Sequence, residues 1–300
     1  VTQYNDIKFI VPPREEEFVY PYRRAWRSVI LELIALVSIT GVIFVVMGML
    51  GIRPPASTWG ITNIIITLTP AILWGILSLW REWHVPQPRE NLLNIAIISA
   101  LVTSAIGIPV IEWLNPDEWL ALAGRFDRIL GYSFTIGLVQ VSIIYGIVRI
   151  MTWYNAYRIR TDAIAYCTTA AIGCITVWNI HFLATGNITP DVVALRMFSM
   201  TSSILLASII IAYGLAELRF NPKFYWILPL TILASMVIIG FVIAFRSNLI
   251  SGRFILGIGG TRPIIGFGFT VGLLFAGVIG MLFLFNISER RAKEAQEKRN

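Results

Sequence analysis

Residues 161–186 read TDAIAYCTTAAIGCITVWNIHFLATG, and this stretch decides the fold. It is an apolar run long enough to cross a bilayer at about 1.5 Å per residue. It begins on Asp162, carries small residues through its middle, and ends among Asn179 and His181. Polar groups at membrane depth are kept only where they face protein or water, so such a helix belongs inside a bundle.

Working outward, apolar runs of this kind recur along all 300 residues. The chain is 56% hydrophobic and 14% charged, which excludes an ordinary soluble domain. Spans are predicted at about 28–52, 60–81, 93–113, 129–152, 161–184, 194–217, 224–245 and 264–287. The expected fold is an all-α, polytopic membrane helix bundle of about eight helices. No segment with a charged head, short apolar core and small-residue cleavage site precedes the first span, so no signal peptide is expected.

The orientation follows from Lys and Arg, which gather on the cytoplasmic side of short loops. Arg53, Arg125, Arg128, Arg196, Arg246, Arg253 and Arg262 fall on one side, and the remaining 17 of the 24 basic residues on the other. Both termini are therefore expected in the cytoplasm. The net charge of +7 is a topology signal rather than a nucleic-acid footprint.

Four regions are expected: a cytoplasmic arm over 1–27, a three-helix membrane region over 28–127, a five-helix region over 128–287, and a charged cytoplasmic tail over 288–300. In the arm, Glu15, Glu16 and Glu17 are followed by the basic anchor Arg23, Arg24 and Arg27. The tail alternates charge at helical spacing and is expected to extend the last helix. Between the third and fourth spans, residues 112–124 mix acids, leucines, Trp113 and Trp119, the pattern of a short interfacial helix. Residues 246–263 are Gly-rich and read as a re-entrant or surface loop.

Several chemistries are excluded. Cys167 and Cys174 stand on one helix roughly 10 Å apart, beyond disulfide reach. The Gly257 to Gly260 run lacks the Lys and Ser/Thr of a phosphate loop. His84 and His181 fall on opposite sides of the membrane and cannot share a metal, so no metal site is expected. No internal repeat or matched pair of broken helices points to a transporter. Gly268 and Gly272 have the spacing that lets helix backbones approach closely, and are expected to form a packing face. The neighbour is a helix of this chain or of another subunit.

Asp162 to Tyr166, then Ala170-Ala171-Ile-Gly173, then Trp178-Asn179-Ile-His-Phe, resembles the PrsW family of intramembrane proteases, whose matching helix reads D-G-I-V-Y-G-A-A-x-G-x-G-F-A-x-x-E-N-I-x-Y. The resemblance covers roughly residues 130–220. It implies a Glu-Glu-x-x-Lys motif on the preceding helix, a Glu before the Asn, and histidines on later helices. At the first place this chain has Gln140, which can hydrogen-bond a water but cannot take its proton. At the second it has Trp178. The span after Arg196, which suits the family's Arg, contains no histidine.

What persists is scaffold: Asp162, Tyr166, the Ala-Ala-x-Gly stripe, Asn179, Arg196 and the Tyr213-Gly214 pair. The resulting expectation is a non-catalytic PrsW-like membrane protein, a pseudoprotease serving as scaffold or accessory subunit of a larger membrane complex. Its partners are the lipid bilayer and other integral membrane subunits, with no nucleic acid. Its expected location is a bacterial inner (cytoplasmic) membrane. One alternative is a subunit of an electron-transfer or photosynthetic complex, holding lipid, quinone or an apolar pigment in a groove. The other is a protease with a rearranged site using Asp162, Glu217 or Glu32.

At single positions the readings are as follows. Asp162 is a helix amino-terminal acid favoured by the dipole and flanked by Arg158 and Arg160. Asn179 is an interhelical hydrogen-bond partner. His181 is an interfacial side chain or, alternatively, a haem or chlorin ligand. Glu32 is satisfied by Arg27 or Ser28, or reaches the interface.

Overall fold

The computed structural model describes residues 25–82, 89, 91–152, 157, 159–184, 188–221, 225–250 and 263–297. Residues 1–24 of the amino-terminal arm, His84, Arg158 and the Gly257 to Gly260 run lie outside them.

The described residues are mostly helical, with no strand among them. Among the described residues, eight helices are long and apolar enough to span a membrane: α1 Trp26–Gly48, α2 Ala56–Leu79, α3 Leu92–Trp119, α4 Arg125–Met151, α5 Asp162–Leu183, α6 Pro190–Phe220, α7 Ile227–Phe245 and α8 Ile265–Arg291. The protein is a polytopic membrane helix bundle.

α6 is the central post, because its small residues let neighbours close in on every side. Ser199, Ser202, Ser203, Ala207, Ser208, Ala212 and Ala216 are all buried. It packs against α1, α2, α5, α7 and α8, while α5 lies between α2, α3, α4 and α6. The regions divided near residue 128 therefore interlock, with α3 against α5.

The α3–α5 crossing shows how close this packing is. A Cβ at Gly173 would lie 2.2 Å from the Ala96 carbonyl oxygen, and the Ser99 hydroxyl donates to the Ala170 carbonyl at 2.6 Å. α4 and α7 meet in the same way, a Cβ at Gly240 falling 2.4 Å from the Ser133 nitrogen. Backbone cannot move aside as a flexible side chain can. Gly173→Ala is accordingly expected to destabilise the protein by about 1–3 kcal/mol, seen as a lower melting temperature in detergent; an unchanged melting temperature would contradict this crossing.

Two aromatic groups fix the levels of α1, α6 and α8. At one end Phe285 meets Trp26 at 5.5 Å and Tyr213 at 5.3 Å, both edge-on. Towards the other, Phe267 meets Phe44 at 6.4 Å and Phe198 at 5.1 Å. The start of α1 and the late part of α8 are thus at the same end of the bundle.

Loops and ends refine the sequence reading. After α3's apolar run, Asn115 adopts a left-handed backbone at φ 41°, and one turn, Pro116–Trp119, follows. Trp113 and Trp119 are exposed, as an interfacial segment requires. The seventh helix continues to Ile250, so residues 246–250 are helix rather than loop; 251–262 lie outside the described residues. The last helix runs on to Glu297, as the charge alternation anticipates.

Candidate functional site

Two groups of charged and polar residues stand at opposite ends of the bundle. At the arginine-rich end, the turn Ile159–Asp162 leads into α5 and carries two buried charges that face different ways.

Asp162 is fully buried. The Arg89 Nε–H donates to its Oδ1 at 2.8 Å, and the Ile159 backbone N–H donates to its Oδ2 at 3.2 Å. Arg89 also binds Glu82, its backbone N–H donating to Oε1 at 2.7 Å and its Nη1 to Oε2 at 2.8 Å. One guanidinium therefore sits between two carboxylates, with little water to screen it.

Arg160, two residues earlier, turns the other way. Its Nη1 donates to Glu217 on α6, and the Ser288 hydroxyl on α8 donates to the same carboxylate oxygen. Its guanidinium also lies 5.4 Å from the centroid of the Phe220 ring. This turn thus holds the α2–α3 connection with one residue and α6 and α8 with the other.

The helix-start position expected of Asp162 holds, but Arg160 pairs with Glu217, and Asp162 pairs with Arg89, 73 residues away in sequence. Arg158 lies outside the described residues. Beside this cluster Tyr166 is buried and packs edge-on against Tyr157 at 5.9 Å. The Tyr157 hydroxyl shares a hydrogen bond with Thr152 at 2.9 Å. Burial pushes the Tyr157 phenol well above its ordinary range, so it stays neutral.

The opposite end holds the other motif residues. His181 Nε2 lies 3.3 Å from Glu112 Oε1, and its ring meets Trp178 edge-on at 6.5 Å. The Arg196 guanidinium is 3.5 Å above the Phe182 ring centroid, a cation–π contact. Asn179 is buried, yet its amide nitrogen has no hydrogen-bond partner among the described residues, so the expected interhelical bond is not made by that group. Gln140 is buried in α4.

No group of three or more His, Cys, Asp or Glu able to hold a metal occurs among the described residues. Cys167 and Cys174 are both buried as free thiols. Of the acids weighed for a rearranged protease, Asp162 pairs with Arg89 and Glu217 with Arg160. Glu32 is buried with Oε1 unpartnered among the described residues, while Arg27, its expected partner, is exposed.

Gly268 and Gly272 lie on the exposed face of α8, and a Cβ at either position would meet nothing within 4 Å. Ala276 and Gly280 continue the stripe on the same face. No helix of this chain fills it among the described residues.

Three comparisons with known proteins, by family model, by curated sequence and by solved structure, match nothing.

Proposed function

We propose that this chain is a non-catalytic, PrsW-like membrane protein that works as a scaffold or accessory subunit within a larger membrane complex. The observation that carries this reading is the stripe Gly268, Gly272, Ala276 and Gly280 on the outer face of α8. Small residues at this spacing let a second helix approach until backbones touch, and lipid tails gain little from such a groove. The exposed side chains of Phe275, Ile279 and Phe283 flank it with apolar surface.

The state of the acids supports the non-catalytic half of the reading. A hydrolase needs a carboxylate or metal that holds and deprotonates water. Asp162 and Glu217 instead neutralise arginines, Gln140 is the polar residue where the family's paired glutamates would fall, and Trp178 stands where its third glutamate would precede the Asn.

The test is purification of the tagged protein from its own membranes in mild detergent, with mass spectrometry of co-migrating chains and an absorption spectrum of the same peak. Stoichiometric membrane partners are expected, and Gly272→Leu is expected to remove them while leaving the melting temperature unchanged, since Gly272 touches no other helix here. A protein that runs alone, or that keeps its partners with Gly272→Leu, defeats the reading. Cleavage of membrane substrates that Asp162→Asn abolishes would return the chain to the proteases.

A further inference from the structure

The exposed apolar surface of α4 carries on into its connection with α3. Phe126, Leu130, Phe134 and Leu138 are all exposed and recur every four residues. A wide π-type turn at Ser133–Gly137 keeps that spacing on one side of the helix. On α3, Ile97, Leu101 and Ile106 are exposed along the span and Trp113 at its end. Both surfaces run onto the tip, residues 113–126, that joins the two helices.

The tip is compact because its polar groups serve one another. Asn115 Nδ2 donates to Glu118 Oε2 at 2.5 Å, Trp119 Nε1 to the Leu114 carbonyl at 3.1 Å, and the Tyr132 hydroxyl of α4 to Asp117 Oδ1 at 2.8 Å. Arg128 donates through Nε to the Leu120 carbonyl at 3.0 Å and through Nη2 to that of Ala121. Leu120 is buried against Gly131, where any side chain would collide with it. Between Asn115 and Arg125 the tip has one helical turn, Pro116–Trp119, so it is a knob and not a helix lying flat.

The large side chains left outside are apolar. Leu122 is 99% exposed, and Trp113, Trp119 and Phe126 are exposed as well. The nearby charges cancel or are engaged: exposed Arg125 and Asp127 have opposite signs, and Glu112 meets His181.

Helix lengths say what covers this surface. α3 has 28 residues and α4 has 27, about 40 Å at 1.5 Å per residue. A hydrocarbon core takes about 30 Å and the bilayer with its headgroups about 40–45 Å. The tip therefore lies within the headgroup layer, where tryptophan is favoured, rather than in the water beyond it.

We infer that the α3–α4 tip is a preformed lipid anchor, which inserts Trp113, Trp119, Leu122 and Phe126 among the headgroups and upper acyl chains of one leaflet and holds by apolar contact rather than by lipid charge. It stands apart from the subunit reading, since it uses α3 and α4 and not α8.

The test is quenching of a fluorophore attached to Leu122→Cys in nanodiscs. The wild type, whose Cys167 and Cys174 are buried, is the labelling blank. A nitroxide at the headgroup end of the lipid acyl chain is expected to quench the label several-fold more strongly than aqueous iodide, in phosphatidylcholine alone and with phosphatidylglycerol added. A label on Glu294→Cys, exposed on the polar continuation of α8, is expected to show the reverse. If iodide reaches position 122 as readily as 294, the tip stands in water and the anchor is overturned. A label that neither quencher reaches is covered by protein, which overturns it too, as does insertion that requires the anionic lipid. Should Leu122→Cys fail to fold, Phe126→Cys carries the same label and the same outcomes.

Discussion

Arg89→Ala is expected to destabilise the protein by about 3–5 kcal/mol, because removing one member of a buried ion pair leaves the other's charge uncompensated. Asp162 is fully buried and Glu82 nearly so, and both take hydrogen bonds from this one residue. Adding Asp162→Asn to Arg89→Ala removes the buried charge at α5 and is expected to recover part of the loss. Arg89→Lys should fall between, since an ammonium cannot reproduce a guanidinium that contacts Asp162 through Nε and Glu82 through Nη1. Thermal unfolding in one detergent ranks the variants. If Arg89→Ala melts with the wild type, this network does not hold the α2–α3 connection to α5.

Glu217→Ala is the second large effect, expected at about 3 kcal/mol or more for the same electrostatic reason. Its consequence is directional. Glu217 joins Arg160 and Ser288, so the variant takes the carboxylate from the guanidinium and the acceptor from the hydroxyl that ties down α8. The end of α8 past Ser288 is expected to become protease-sensitive at temperatures where α5 and α6 remain protected from hydrogen exchange. Glu217→Gln keeps an oxygen for Ser288 and should loosen α8 less. Equal resistance of wild type and Glu217→Ala would mean that apolar contacts such as Phe285 with Trp26 and Tyr213 suffice.

The helices were legible because bilayer thickness imposes a length and apolar character that each span must display by itself. Side-chain partnerships carry no such local signal. Asp162 was visible as an acid beginning a helix, and its neighbours in sequence were arginines, yet consecutive turn residues project in different directions. Arg160 reaches α6, and Arg89, which pairs with Asp162, comes from a connection with no periodic pattern. Gly268 and Gly272 had the right spacing for packing, but which way that face looks depends on how α8 seats against α6 and α7. Glu32 stood out as an acid within a span; its isolation from Arg27 required the rotation of α1.

The turn Ile159–Asp162 also bears on how the protein is made. A chain leaving the ribosome has laid down α1 to α4 before Asp162 emerges, and until then Arg89 meets Glu82 without Asp162. Arg160 must wait longer, for Glu217 and then Ser288. Completion of the bundle is thus marked by two arginines successively meeting acids that come later in the chain, and a product truncated before α5 lacks the Asp162 contact to Arg89.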